Sequence, residues 1–233
     1  MMSSINLVNN GFPLAKISLR RGERIKIENG SMVYKSMGIN LKTRLNASGS
    51  NGLTRFIKAT ARAAVSGEST FVTEAIADSD GLIAIAPTMP GHIAILQCGK
   101  KQYCINDGAF LALTGDAEYK MKSQGFGKAM FGGTGGFFVM ETSGEGELLI
   151  NSFGTLEKID LNNDSITIDN EHVVAWDNTL NYDIKCDSGF FESIGTGEGL
   201  VNVFHGTGSI YVQSMNLQNF VKTIQPHIDF PKG

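Results

Sequence analysis

The chain is short of charge: Asp, Glu, Lys and Arg make up 18% of its 233 residues, against about 25% in an average globular protein. That shortage excludes disorder, coiled coils and long solvated surface helices. Proline is sparse at five residues, and glycine does not recur at every third position, which removes Pro-rich linkers and collagen-like helices. The three cysteines, Cys98, Cys104 and Cys186, include no Cys-x-x-Cys pair. A disulfide framework and a thiolate metal site therefore have no spacing to rest on, and the reading is of reduced thiols in a cytoplasmic protein. Residues 1–16 lack a basic stretch followed by a sustained apolar run and a small-residue cleavage site, so no export signal is expected. The most apolar segment, 81–97, is interrupted by Pro87, Pro90 and His92. It is too broken to cross a bilayer and reads as two buried strands joined by a Pro-Gly turn.

Glycine is abundant instead, at 28 residues, and hydrophobic residues are near normal at 42%. Many short strands with tight turns suit that composition. A chain of this length buries roughly 70% of its extended surface, enough for one compact domain spanning 1–233 without staples. Charge is unevenly distributed. Residues 1–66 hold eleven Lys/Arg against Glu23 and Glu28, a balance of +9, whereas residues 67–233 hold nine against twenty-one acids, a balance of −12. Such asymmetry lets two parts of the fold, or two subunits, attract each other, or steers an anionic partner.

The chain repeats itself. Gly133-Thr134-Gly135 and the stretch from Gly144-Glu145-Gly146 to Ser152 recur as Gly195-Thr196-Gly197 and Gly206-Thr207-Gly208 to Ser214, each 62 residues on. A second element, Ile105–Ala112, is matched 63 residues later by Ile168–Ala175 and near the start by Ile27–Tyr34. The glycine partner of that first occurrence is read as 66–72. Three copies follow, at about 16–92, 93–155 and 156–215. Each reads as several strands, with Ile166-Thr167-Ile168 alternating and the cluster Asn162-Asn163-Asp164 predicted to form a turn. Gly133, Gly135, Gly144, Gly146, Gly195, Gly197, Gly206 and Gly208 are read as structural, supplying positive φ or close backbone approach between strands. Three half-buried sheets that cannot bury their inner faces alone are expected to close around a pseudo-threefold axis.

Two short peripheral helices are predicted. One spans 51–64, with Arg55, Lys58 and Arg62 along one stripe; the other spans 216–225, ends before Pro226 and forms a C-terminal helical tail. Candidate chemistry is thin. Asp160, Asn162, Asp164 and Glu171 fall at calcium-loop positions 1, 3, 5 and 12, but Ser165 stands where the loop needs glycine, so a hairpin is favoured. The glycine runs 132–136 and 195–199 precede strand-like residues rather than a helix N-terminus, which makes them turns and not phosphate cradles. His92, His172, His205 and His227 have no ligand spacing, no serine sits in a Gly-x-Ser-x-Gly frame, and Trp176 reads as core. No catalytic residue, cofactor or metal is expected.

Together, Gly132–Gly136, Glu171–Ala175, Gly195–Val201 and Gly206–Ser214 resemble the altered-inheritance-of-mitochondria family from about Ile17 onward. The resemblance implies an all-β fold of repeated units like that of the trp RNA-binding attenuation protein, here three tandem TRAP-like repeats, often assembled into oligomers. It carries over no catalytic residue. The first expectation is a non-enzymatic, self-associating scaffold or binding protein forming stable homo-oligomers, trimers among them. The alternative is recognition of an anionic partner, RNA or a lipid surface, by Arg20, Arg21, Arg24, Lys26, Arg55, Lys58 and Arg62. A third is a small-ligand binder or enzyme with a pocket between repeats.

Overall fold

The computed structural model describes residues 4–45, 71–106, 108–123, 138–185 and 200–228. The predicted helix over 51–64 lies outside them, as do Arg55, Lys58, Arg62, Gly133, Gly135, Gly195 and Gly197. What remains is predominantly β. After β1 (Ser4–Val8), a first stretch holds β2 (Leu14–Leu19), β3 (Arg24–Glu28), β4 (Met32–Lys35), β5 (Ile39–Leu45), β6 (Phe71–Ala77) and β7 (Gly81–Ile85). A second holds β8 (Gly91–Cys98), β9 (Tyr103–Asn106), β10 (Phe110–Leu113), β11 (Glu118–Ser123), β12 (Phe138–Ser143) and β13 (Gly146–Phe153). The third holds β14 (Leu156–Asp169), β15 (Val173–Asp177), β16 (Asn181–Lys185) and β17 (Val201–Gln213), followed by one helix, α1 (Leu217–Ile224).

The antiparallel pairings follow one scheme. In the first stretch β2 and β4 both pair with β7, while β3 and β5 both pair with β6. In the second, β8 and β10 pair with β13, while β9 and β11 pair with β12. In the third, single long strands replace two pairs of short ones: β14 runs along β17 on both sides of a bulge between Leu161 and Asp164, and β15 and β16 pair with opposite ends of β17. Neighbouring stretches are joined by β3 on β10 and by β9 on β15. The strand order is therefore β1-β2-β7-β4 in one sheet, β5-β6-β3-β10-β13-β8 in a second and β11-β12-β9-β15-β17-β14 in a third, with β16 on β17.

The inner faces bury three clusters of aliphatic and aromatic side chains. One centres on Ile17, Ile25, Ile27 and Ile83, one on Ile105, Phe110, Leu148 and Ile150, and one on Trp176, Phe204 and Ile210. Trp176 stands edge-on to Tyr182 and Phe204, with ring centroids 4.9 and 5.5 Å away, so it belongs to the core. Strands β7 and β8 flank Pro87 and Pro90 as expected, but they enter different sheets and do not pair with each other. The C-terminal helix starts where Asn216 accepts a hydrogen bond on its side chain from the Asn219 N–H at 2.8 Å. Phe220 anchors it edge-on against Phe153 at 5.2 Å.

Three expectations are corrected. Asn162-Asn163-Asp164 does not form a turn: β14 continues through it, and the extra length is absorbed as a bulge with Asn163 at φ +52°. Gly206-Thr207-Gly208 likewise lies within β17 rather than between strands. The first-stretch counterpart of 144–152 is not 66–72, because Phe71 and Val72 belong to β6, whereas the strand paired as β13 is paired is β7, which begins at Gly81.

Candidate functional surfaces

The turn that follows each second strand is where the sequence match is clearest. Ile27–Tyr34, Ile105–Ala112 and Ile168–Ala175 each run from the end of one strand into the start of the next. In each, the second strand carries a bulge at the seventh residue, between Met32 and Tyr34, Phe110 and Ala112, and Val173 and Ala175. Two residues beyond each segment stands a side-chain oxygen with a shared task. Ser36 Oγ accepts from the Leu82 N–H (2.9 Å), Thr114 Oγ1 from the Glu147 N–H (3.1 Å) and Asp177 Oδ2 from the Ser209 N–H (3.1 Å).

The residue before each of those amides is glycine, and each meets a close neighbour. A Cβ at Gly81 would lie 3.0 Å from Ser36 Cβ, one at Gly146 would lie 2.0 Å from the Thr114 carbonyl oxygen, and one at Gly208 would lie 3.2 Å from Asp177 Cβ. Gly144 and Gly206 differ in kind, with φ of +81° and +119°, the region that favours glycine.

Asp177 is the most charged member of this set. It is buried, its Oδ2 also accepts from Lys101 Nζ at 2.9 Å, and its Oδ1 has no partner among the described residues. Next to it Ser209 Oγ donates to Asp160 Oδ1 at 2.7 Å. The Lys158 ammonium on Asp160 holds that exposed carboxyl below its ordinary value. Burial pushes Tyr103 up to about 12, with Tyr211 and Asp177 adding to the shift. These groups tie the β8–β9 turn, β14, β15 and β17 together.

Other candidates also resolve into structural contacts. Asp160, Asn162 and Asp164 lie along β14, and among the described residues no group of three or more His, Cys, Asp and Glu side chains could hold a metal ion. Ser165 Oγ lies 2.8 Å from His205 Nδ1, a contact the sequence reading missed. It is an exposed cross-strand pair, and the adjacent Asp164 carboxylate accepts from the Ser165 N–H instead of orienting the imidazole. His172 is fixed by the Gln213 carbonyl and by Asn216. Burial raises the thiols of Cys98 and Cys104, the latter to about 11, which makes them poor nucleophiles.

Four of the seven cations assigned to an anionic partner are described. Arg24 reaches Glu74 at 3.9 Å, and Lys26 binds Glu118 at 2.6 Å and the Ala117 carbonyl at 3.1 Å. Arg20 and Arg21 are exposed in the β2–β3 turn, where their backbone amides donate to Glu23 and Asp80. Two of the four thus face internal carboxylates, and the Lys26 pair bridges the first and second stretches. Exposed apolar side chains gather elsewhere: Met32, Val33 and Tyr34 on β4, and Leu217 and Val221 on α1.

Linked antiparallel sheets over buried apolar faces define the described residues as a predominantly β protein. Among the described residues no helix is long and apolar enough to cross a membrane. The model of one family, mitochondrial biogenesis AIM24, matches residues 5–215, and the chain belongs to that family. It is 52% identical over 217 residues to an uncharacterised protein of Streptococcus pyogenes serotype M6, covering 93% of this chain and 87% of that protein. It is also similar to a crystal structure of a Streptococcus pyogenes protein, with 47% identity and a TM-score of 0.82 over 97% of this chain and 100% of the other.

Proposed function

We propose that the chain is a non-enzymatic, self-associating scaffold or binding protein of the cytoplasm, built from three copies of one TRAP-like β unit. The observation that carries this reading is the recurrence of one hydrogen bond. Ser36, Thr114 and Asp177 each cap the amide that follows a close-packed glycine, next to a bulge at one position of the segment. Bulges and caps in the same register support the reading of one unit used three times over that of three unrelated hairpins. Its close-packed glycines answer to sterics, and Arg24 and Lys26 to internal carboxylates; both features suit a scaffold.

The first and second units, and the second and third, join edge to edge through their sheets. A unit that joins by strand pairing suits assembly, because each chain end offers the surface its neighbours already use. Native mass spectrometry at micromolar concentration, with no ligand added, tests this: homo-oligomers are expected, and a spectrum of monomer alone would overturn it. An enzyme or small-ligand binder would instead show a thermal shift in a ligand screen.

A further inference from the structure

We infer that His172 is a proton-operated latch on the C-terminal helix: a proton taken up at Nε2 breaks its hydrogen bond with Asn216 and loosens α1 from the β body. The latch acts within one chain and needs no second copy. The partners of the ring fix its hydrogens. His172 ends the short 3-10 turn 170–172 that leads into β15. Its Nδ1 lies 2.7 Å from the Gln213 carbonyl oxygen, which can only accept, so Nδ1 carries a hydrogen. Its Nε2 lies 3.0 Å from Asn216 Nδ2. The Asn216 amide is oriented by its other end, because Oδ1 accepts from the Asn219 N–H at 2.8 Å as the helix cap. Nδ2 is therefore a donor, and Nε2 receives it as a bare nitrogen. Only the neutral ring, in one tautomer, fits this arrangement.

Charging the ring sets two donors face to face, and neither side adjusts without cost to α1. On the Nδ1 side Gln213 is braced: its Nε2 donates to the Glu171 carbonyl at 3.0 Å, and its Oε1 accepts from the Phe153 N–H at 2.9 Å. On the Nε2 side, turning the Asn216 amide to offer its oxygen would surrender the cap on Asn219. If Asn216, which is buried, withdraws instead, the start of the helix moves with it. Helix α1 has eight residues, and helices that short are marginal in water without docking and capping. Leu217, Phe220, Val221 and Ile224 form its apolar stripe, yet Leu217 and Val221 are exposed and the ring contact is that of Phe220 on Phe153. The polar ties at its start thus carry much of the attachment.

Charged groups of both signs surround the ring. Glu171 stands beside it, Asp169 ends β14, Lys222 acts on Glu171 from α1, and β17 contributes the neutral Gln213. Glu171 Oε1 accepts from Gln218 Nε2 at 3.2 Å, a second tie to α1 that does not involve the ring. Burial, with the Asp169 charge, raises the Glu171 carboxyl above its ordinary value, so a pH profile of this corner holds two titrations, to be separated by substitution. Imidazoles take up a proton near about pH 6.5. Docking is favoured where the ring is neutral, so it is present above that range and lost as pH falls through it.

Hydrogen exchange of the full chain, read at amides 219–221 at about pH 7.5 and about pH 5.5 and corrected for intrinsic rates, tests the latch. In the parent protein, protection of these amides is expected to fall about fivefold on acidification, the effect of one lost hydrogen bond, while Ile105 in β9 is unchanged. His172→Gln presents a donor and an acceptor without ionising and should remove the fall, whereas Glu171→Gln should keep it. Asn216→Asp should reverse the sign, because its carboxylate caps the helix and accepts from a charged ring. If His172→Gln does not fold, the Asn216→Asp profile decides. Equal protection of the parent at both pH values, a fall that persists in His172→Gln, its loss in Glu171→Gln, a fall of the parent's sign in Asn216→Asp, or an equal fall at Ile105 would each overturn the proposal.

Discussion

Replacing Gly146 by alanine is expected to cost far more than replacing a glycine that only relaxes backbone angles. A Cβ at Gly146 would sit 2.0 Å from the Thr114 carbonyl oxygen and 3.0 Å from Ala117 Cβ. Neither neighbour is the end of a flexible chain. Thr114 is held by its amide on the Glu147 carbonyl at 2.9 Å and by its hydroxyl on the Glu147 N–H, so relief requires β13 and the residues after β10 to separate. Overpacking of this kind costs about 3 kcal/mol. Gly108 is the control: it has φ +77°, and a Cβ there would meet nothing within 4 Å, while a left-handed alanine costs about 1 kcal/mol. At roughly 2–4 °C per kcal/mol for a domain of this size, Gly146→Ala lowers the midpoint of thermal unfolding by about 6–12 °C and Gly108→Ala by about 2–4 °C. Circular dichroism melts of the two variants beside the parent protein measure both. A Gly146→Ala midpoint within a degree of the parent, or a larger loss at Gly108, would refute the steric reasoning.

Asp177 is expected to accept threonine better than alanine. Asp177→Thr supplies the hydroxyl that Thr114 offers at the equivalent place and stays within about 1 kcal/mol of the parent, whereas Asp177→Ala strands the buried Ser209 N–H and loses about 1–3 kcal/mol in urea unfolding; equal losses would contradict the equivalence. The Cys104 thiol, shifted from 9.0 to about 11, holds about 100-fold less thiolate at neutral pH than an ordinary thiol. Peptide mass spectrometry should find Cys98 and Cys104 unalkylated by iodoacetamide until denaturant is added, and rapid native labelling would refute this. Burial and then the Asp169 charge raise the Glu171 carboxyl above its ordinary 4.5, so the folded state binds that proton more tightly than the unfolded chain does. Its stabilising contribution is present below about 4.5 and is lost as pH rises through the raised value. Glu171→Gln should therefore flatten the fall in stability over that window, and a curve parallel to the parent's would count against it.

Much of the fold is legible in the residues because period-two alternation and glycine spacing are local signals. The segments Ile27–Tyr34, Ile105–Ala112 and Ile168–Ala175 each locate one bulge, and Asn216 with Pro226 brackets the helix. The errors arose where a local signal was overridden by pairing over distance. Asn162-Asn163-Asp164 has turn composition, yet β14 and β17 are each a fusion of two strands, so the cluster became a bulge. Glycine alone misplaces the first-stretch counterpart at 66–72, because in that stretch the pair reduces to Gly81 preceded by Ser79 and Asp80. The charge asymmetry was visible in the sequence, but the partners of Arg24 and Lys26 were not, since Glu74 and Glu118 lie far along the chain.

Native mass spectrometry across a dilution series, with no ligand added, addresses the proposed self-association most directly. If the chain self-associates, homo-oligomers are present at micromolar concentration and give way to monomer only on dilution. Monomer alone at every concentration would contradict it.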